Sequence, residues 1–117
     1  MAQTPHPDRL ADVDPQQAVA MLERGEATLL DVREPQEWAA GHAPQAEHLP
    51  LGELDAGAIQ PGRPVIAVCR SGNRSGKAAD LLAAAGVPVH NLAGGMKGWV
   101  QAGYPVVTDA GKPGTVA

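Results

Sequence analysis

The chain has no phenylalanine, two tryptophans and one tyrosine, so aliphatic side chains must fill most of its interior. It has a single cysteine, which rules out an intrachain disulfide and reads as a reducing compartment. The four histidines, His6, His42, His48 and His90, show no metal-ligand spacing with that cysteine, so no metal site is expected. No apolar run approaches the roughly 20 residues needed to span a membrane. Positive charge is scarce as well. With 9 lysines and arginines against 13 acidic residues the net charge is −4, which argues against a general nucleic-acid binder. Residues 1–7 have neither a basic region nor an apolar core, so they are not expected to be a secretory leader, and the expected location is cytoplasmic. What is present is ordinary: 117 residues, 44% apolar, enough for one domain with one core.

The informative stretch begins at Pro64. Val65 to Val68 is an unbroken apolar run, β-branched at three of its four positions, and predicts a strand buried on both faces. From Ser75 onward the spacing changes, with Ala78, Leu81, Leu82 and Ala85 at helical intervals and Gly86 as a stop. Between them lies a tight polar loop that opens with Cys69. A strand–loop–helix unit turns loop N–H groups and a helix N-terminus toward one point, which suits an anion. A lone cysteine is often a small buried hydrophobe. Arg70 and Arg74 are poor company for a core residue, however, and both favour a thiolate, while Gly72 lets the backbone curl. Cys69 therefore reads as a nucleophile in an electropositive, partly open setting. Arg33, Arg70, Arg74 and Lys77 are expected to gather into a positive mouth on an acidic protein, fitting a small anionic substrate.

Elsewhere the chain alternates strand and helix signals. Residues 1–8 read as a flexible tail and 9–13 as a short edge strand. Asp14, Pro15 and Gln17 form a helix start, with Asp14 as N-cap and Gln17 completing a capping box. A strand is expected over 27–32, a short helix over 35–40 with Trp38 in the core, a strand over 47–50 and an irregular helix over 51–59. Residues 88–92 read as the last strand. The pair Gly94 and Gly95 permits a sharp turn into a helix carrying Met96, Trp99 and Val100, and Gly103 closes it. Residues 108–117 read as a second flexible tail. Such alternation predicts a parallel sheet with helices on both faces.

Three segments carry a resemblance. Residues 69–75, Cys-Arg-Ser-Gly-Asn-Arg-Ser, are similar to the active-site loop of the rhodanese (sulfurtransferase) family. Residues 31–42, Asp-Val-Arg-Glu-Pro-Gln-Glu-Trp-Ala-Ala-Gly-His, resemble its amino-terminal signature. Residues 91–106, from Asn91 through the Gly94-Gly95 turn to Val106, resemble its carboxy-terminal one. The resemblance implies a three-layer α/β/α domain over residues 9–107, with a central five-stranded, mostly parallel sheet. It also places Asp31 and Arg33 on the strand beside the cysteine strand, where they support the loop, more as a salt bridge than as substrate contacts. His42 acquires a hydrogen-bonding role near its turn, and the Gly-Gly turn approaches the loop.

The implied chemistry is sulfur transfer. Cys69 is the catalytic nucleophile, and Arg70, Ser71, Gly72, Asn73, Arg74 and Ser75 form the substrate-binding cradle. The expected partners are a small anionic sulfur donor such as thiosulfate and a thiophilic acceptor such as cyanide, a thiol or a protein, without cofactor, nucleic acid or membrane. Thiosulfate-specific members often carry a second basic residue where this loop has Ser71. Two other readings compete. One is a non-enzymatic binding or regulatory module. The other is a cysteine phosphatase or arsenate reductase of the same superfold, which needs an arginine six residues after the cysteine; here that residue is Ser75, and Arg74 falls one short.

Overall fold

The computed structural model describes residues 6–59 and 62–116. Its centre is four short parallel strands: β1 (Thr28–Asp31), β2 (Ala46–His48), β3 (Val65–Val68) and β4 (Val89–Asn91), in the spatial order β2-β1-β3-β4. Among the described residues four helices connect or flank them: α1 (Pro15–Glu23), α2 (Pro35–Ala40), α3 (Asn73–Ala84) and α4 (Gly95–Gln101). Two single 3₁₀ turns, Leu51–Glu53 and Ala56–Ala58, occupy the stretch expected as an irregular helix. Among the described residues no helix is long and apolar enough to cross a membrane.

All four residues of β3 are buried because both faces of the sheet are covered. Ile66 and Val68 join Leu29 on one face, packed with Ala18 of α1 and with Met96 and Trp99 of α4. Val65 and Ala67 join Leu30 on the other, packed with Ala78, Ala79, Leu82 and Ala83 of α3. The result is the expected three layers. The alanines of α3 let that helix lie close to the sheet, and Trp99 supplies the bulk missing from a chain without phenylalanine. Trp99 is fully buried and donates its indole N–H to the Pro105 carbonyl at 3.0 Å. At α1 the capping box forms as read: Gln17 N–H donates to Asp14 Oδ1 at 2.8 Å, and Asp14 N–H donates to Gln17 Oε1 at 2.9 Å.

Three expectations need revision. Among the described residues the sheet has four strands and not five. The 9–13 segment does lie beside β4, but it makes only two isolated parallel bridges, Arg9 to Val89 and Val13 to Leu92. Four steps along the edge segment thus match three along its partner, and the extra residue breaks the ladder as a bulge does. Trp38 is not in the core. It is half-buried on α2, a helix without a fully buried residue. There it stacks on His42 at 3.5 Å between ring centroids and on His48 at 4.7 Å. Finally, residues 108–116, read from composition as a tail, are tied to the body. Val107 exchanges two backbone bonds with His42, Gly114 N–H donates to Val106, and Thr115 N–H donates to Ala40. Gly41 accommodates this return, since a Cβ there would lie 2.5 Å from the Thr115 carbonyl oxygen.

Candidate active site

In this parallel sheet the carboxyl ends of the strands share one edge. Asp31 of β1 pairs in register with Val68 of β3, and Asn91 of β4 with Ala67. Cys69 follows Val68 directly and so leaves the sheet between those two neighbours. The chain then turns within three residues. Gly72 sits at φ +117°, a conformation that side chains rarely adopt, and α3 starts at Asn73. This curl brings the Gly72 N–H to 3.0 Å from Cys69 Sγ and the Ser75 hydroxyl to 3.3 Å.

The outside of the loop is held by α4. Met96 N–H donates to the Cys69 carbonyl at 2.8 Å, and Lys97 N–H donates to the Arg70 carbonyl at 3.1 Å. With these carbonyls engaged, the loop is free to turn its N–H groups toward the sulfur. The approach is close enough that Gly95 has no room for a side chain: a Cβ would lie 2.5 Å from the carbonyl oxygens of both Cys69 and Arg70. The pair of glycines read as a sharp turn is therefore also the contact surface for the loop.

Cys69 is 1% exposed, more enclosed than the partly open setting expected from its neighbours. Burial pushes the thiol up. The Ser75 hydroxyl and the N–H groups of Ser75, Gly72 and Ser71 outweigh it and hold the thiol below its ordinary value. The acidity therefore comes from the hydrogen-bonding cradle, with the arginines in a lesser role than the sequence implies.

The arginines are otherwise engaged. Arg74 meets Glu37 of α2 in two hydrogen bonds, Nη1 to Oε1 at 2.6 Å and Nη2 to Oε2 at 2.8 Å. That fork, against some cost of burial, holds the Glu37 carboxyl down at about 2, with help from the Glu34 backbone and the Arg33 charge. Arg33 is fully buried. Its Nε and Nη2 grip the Asp31 carboxylate at 2.8–3.0 Å, and Nη2 also donates to the Gly41 carbonyl at 2.8 Å. The expected ring of four cations is thus reduced to Arg70 and Lys77, which are exposed, as are Ser71 and Asn73. His42 Nδ1 donates to the Trp38 carbonyl at 2.9 Å, a contact within its own turn.

One residue of this site escaped the sequence reading. Asn91, 8% exposed at the end of β4, lies 2.5 Å by its Oδ1 from the Ser75 hydroxyl and 3.4 Å by its Nδ2 from the Gly72 carbonyl. The available signal was a single amide at the carboxyl end of a buried strand next to the cysteine strand. Among the described residues no group of three or more histidine, cysteine or acidic side chains is placed to hold a metal ion.

A family model described as a rhodanese-like domain matches residues 14–102. An uncharacterized protein of Synechocystis sp. is 40% identical over 88 residues, covering 73% of this chain and 49% of that relative. The chain therefore spans about half the length of the curated relative it matches. A crystal structure of a rhodanese-related protein from Thermoplasma volcanium superposes with a TM-score of 0.79 at 27% identity, covering 86% of this chain and 100% of the other. The thiosulfate sulfurtransferase of Pseudomonas aeruginosa superposes with a TM-score of 0.75 at 27% identity, over 92% of this chain and 22% of that one. The matched span takes in all four strands and the loop between β3 and α3, so the likeness covers both scaffold and site: the chain belongs to the family of rhodanese-like domains.

Proposed function

We propose that the protein is a sulfurtransferase that carries a sulfane sulfur on Cys69. The observation that supports this reading best is the convergence of hydrogen-bond donors on one buried sulfur in a closed six-residue loop, with Gly72 N–H at 3.0 Å. Such donors stabilise an anion that stays in place, and they need no reorganisation when charge develops. In the first half-reaction the Cys69 thiolate attacks the outer sulfur of thiosulfate. A bond forms between Sγ and that sulfur, the donor's own S–S bond breaks, and sulfite leaves with the electron pair. In the second, cyanide or a thiol attacks the terminal sulfur, and Sγ departs as the thiolate with its electron pair. The two halves share one covalent intermediate, so the kinetics are ping-pong.

In this reading Arg70 is the donor's electrostatic contact at the exposed side of the loop, and the N–H groups from Arg70 to Ser75 hold the terminal sulfur. Gly72 and Asn73 shape the cradle, Arg74 braces it through Glu37, and Asp31 with Arg33 stiffens the neighbouring strand end. The acceptors include protein thiols as well as small thiophiles, and the reaction takes place in the cytoplasm. Phosphate chemistry fits less well, because Arg74, the arginine nearest the required position, is committed to Glu37.

Transfer from thiosulfate to cyanide, followed as thiocyanate, tests the reading. Wild type should turn over and Cys69→Ser should not. Arg70→Ala should raise the KM for thiosulfate about tenfold, the worth of one charge-assisted contact, while discharge of a preformed persulfide stays near wild type. Full turnover by Cys69→Ser would overturn the assignment.

A further inference from the structure

Ser75 Oγ stands within reach of three acceptors: Asn91 Oδ1 at 2.5 Å, Cys69 Sγ at 3.3 Å and the Gly72 carbonyl at 3.3 Å. A hydroxyl has one proton to give. The Asn91 amide oxygen can only accept, so at 2.5 Å the proton lies between Ser75 and Asn91, and Ser75 turns a lone pair toward sulfur. That arrangement suits a thiol, whose S–H can donate to Oγ. It does not suit a thiolate, which only accepts. When Cys69 loses its proton to solvent, the Ser75 proton must swing to sulfur, leaving a buried amide oxygen without its donor at a free-energy cost. The amide cannot escape by turning over, because Nδ2 faces the Gly72 carbonyl at 3.4 Å and the exchange would set two oxygens against each other.

We propose that Asn91 is a positioning residue that sets the acidity of Cys69 by competing with its sulfur for the single proton of Ser75. The inference rests on the reading of Cys69 as the nucleophile. Its chemical sense lies in the balance between ionisation and reactivity. A thiolate loses nucleophilicity as its pKa falls, and the best attacking thiol titrates near the ambient pH. The N–H groups of the cradle pull the pKa down, and Asn91 opposes them. The charged groups around the loop are Arg70 within it, Arg74 and Lys77 on α3, Glu37 on α2 as the partner of Arg74, the closed Asp31–Arg33 pair at the end of β1, and Lys97 on α4. They are the same in every variant below and cancel from the comparison.

The test is the rate of alkylation by iodoacetamide as a function of pH. Asn91→Val keeps a strand-forming residue on β4 and removes the competing acceptor. Its midpoint should fall by about one pH unit, a roughly tenfold change in ionisation constant, which is the scale of one hydrogen bond to a charged group. Asn91→Asp should move the midpoint up. In a Ser75→Ala background, Asn91→Val should leave the midpoint in place. An unchanged or raised midpoint in Asn91→Val, or an equal shift without the Ser75 hydroxyl, would overturn the proposal. Should Asn91→Val lose its cooperative melt, the side-chain amide resonances of Asn91 in the wild type decide: they should titrate with the Cys69 midpoint, and signals constant through it would reject the competition. Alkylation is read independently of sulfur transfer. A normal transferase whose midpoint ignores Asn91 removes this proposal alone; a shifting midpoint in a protein that transfers no sulfur removes the functional reading alone.

Discussion

Arg33 is a cation without exposed surface, and Asp31, two residues earlier, is equally enclosed. One guanidinium nitrogen, Nη1, has no hydrogen-bond partner among the described residues, so the carboxylate carries most of the compensation for burying that charge. Asp31→Asn should therefore destabilise the fold by about 3–5 kcal/mol in urea unfolding, the usual result of removing one member of a buried pair. The Glu37–Arg74 pair behaves differently because Arg74 is 35% exposed. The Glu37 carboxyl titrates at about 2 in the folded chain against an ordinary 4.5, so below 4.5 the unfolded chain binds more protons. Its contribution is complete above pH 4.5 and disappears as pH falls to about 2. Taken whole the shift is worth about 3 kcal/mol, and solvent screening at the open guanidinium reduces this to about 1 kcal/mol. Glu37→Gln should flatten the acid limb of a stability-against-pH curve by that amount, and an unaltered limb would mean that the pair is not holding the loop to α2. The Asp31–Arg33 pair is legible in sequence, since residues two apart near a strand end share a face. The partner of Arg74 is not: Glu37 lies 37 residues away on α2, and only the folded chain brings its carboxylate to the start of α3.

At the scale of elements, β3, the loop and α3 form one unit, and α4 clamps it from outside. The clamp depends on Gly95, at φ +59° and against two carbonyl groups. Gly95→Ala must push α4 from the loop, strain the turn, or do both, at a cost of about 2–4 kcal/mol. It should lower the Tm and raise the alkylation midpoint of Cys69, because the loop carbonyls lose the Met96 and Lys97 N–H groups that hold the cradle in shape. A variant with a lower Tm and an unchanged midpoint would show that the loop keeps its form without α4. The β3–α3 unit was readable because four consecutive aliphatic residues and a run of alanines at helical spacing admit few alternatives. The edge segment at 9–13 was readable in place but not in pairing, since one extra residue against β4 has no sequence mark. Residues 51–59 are a similar case. Leu51, Leu54 and Ala56 supply apolar contacts to the core without a helical period, so short turns satisfy them as well as a helix would.

Across the whole molecule, the acidic balance and the single buried thiol define one specialised point in an otherwise ordinary α/β domain. The positive mouth expected from the sequence forms only in part, because charge counted along a sequence carries no information on pairing. Two of its four cations spend their charge on Asp31 and Glu37, leaving Arg70 and Lys77 exposed. Trp38 lies outside the core for a related reason: aromatics are scarce, yet aliphatic side chains and Trp99 fill the interior, and Trp38 stacks with two histidines at the margin. What singles out Cys69 is therefore the cradle, and the account stands on whether that cradle holds a sulfur. Intact-mass spectrometry of the purified protein after incubation with thiosulfate, and again after cyanide, measures this directly. The account predicts a gain of one sulfur atom, located on Cys69, absent in Cys69→Ser and removed by cyanide with release of thiocyanate. A wild-type protein that gains no sulfur, or a Cys69→Ser variant that gains as much, would contradict it.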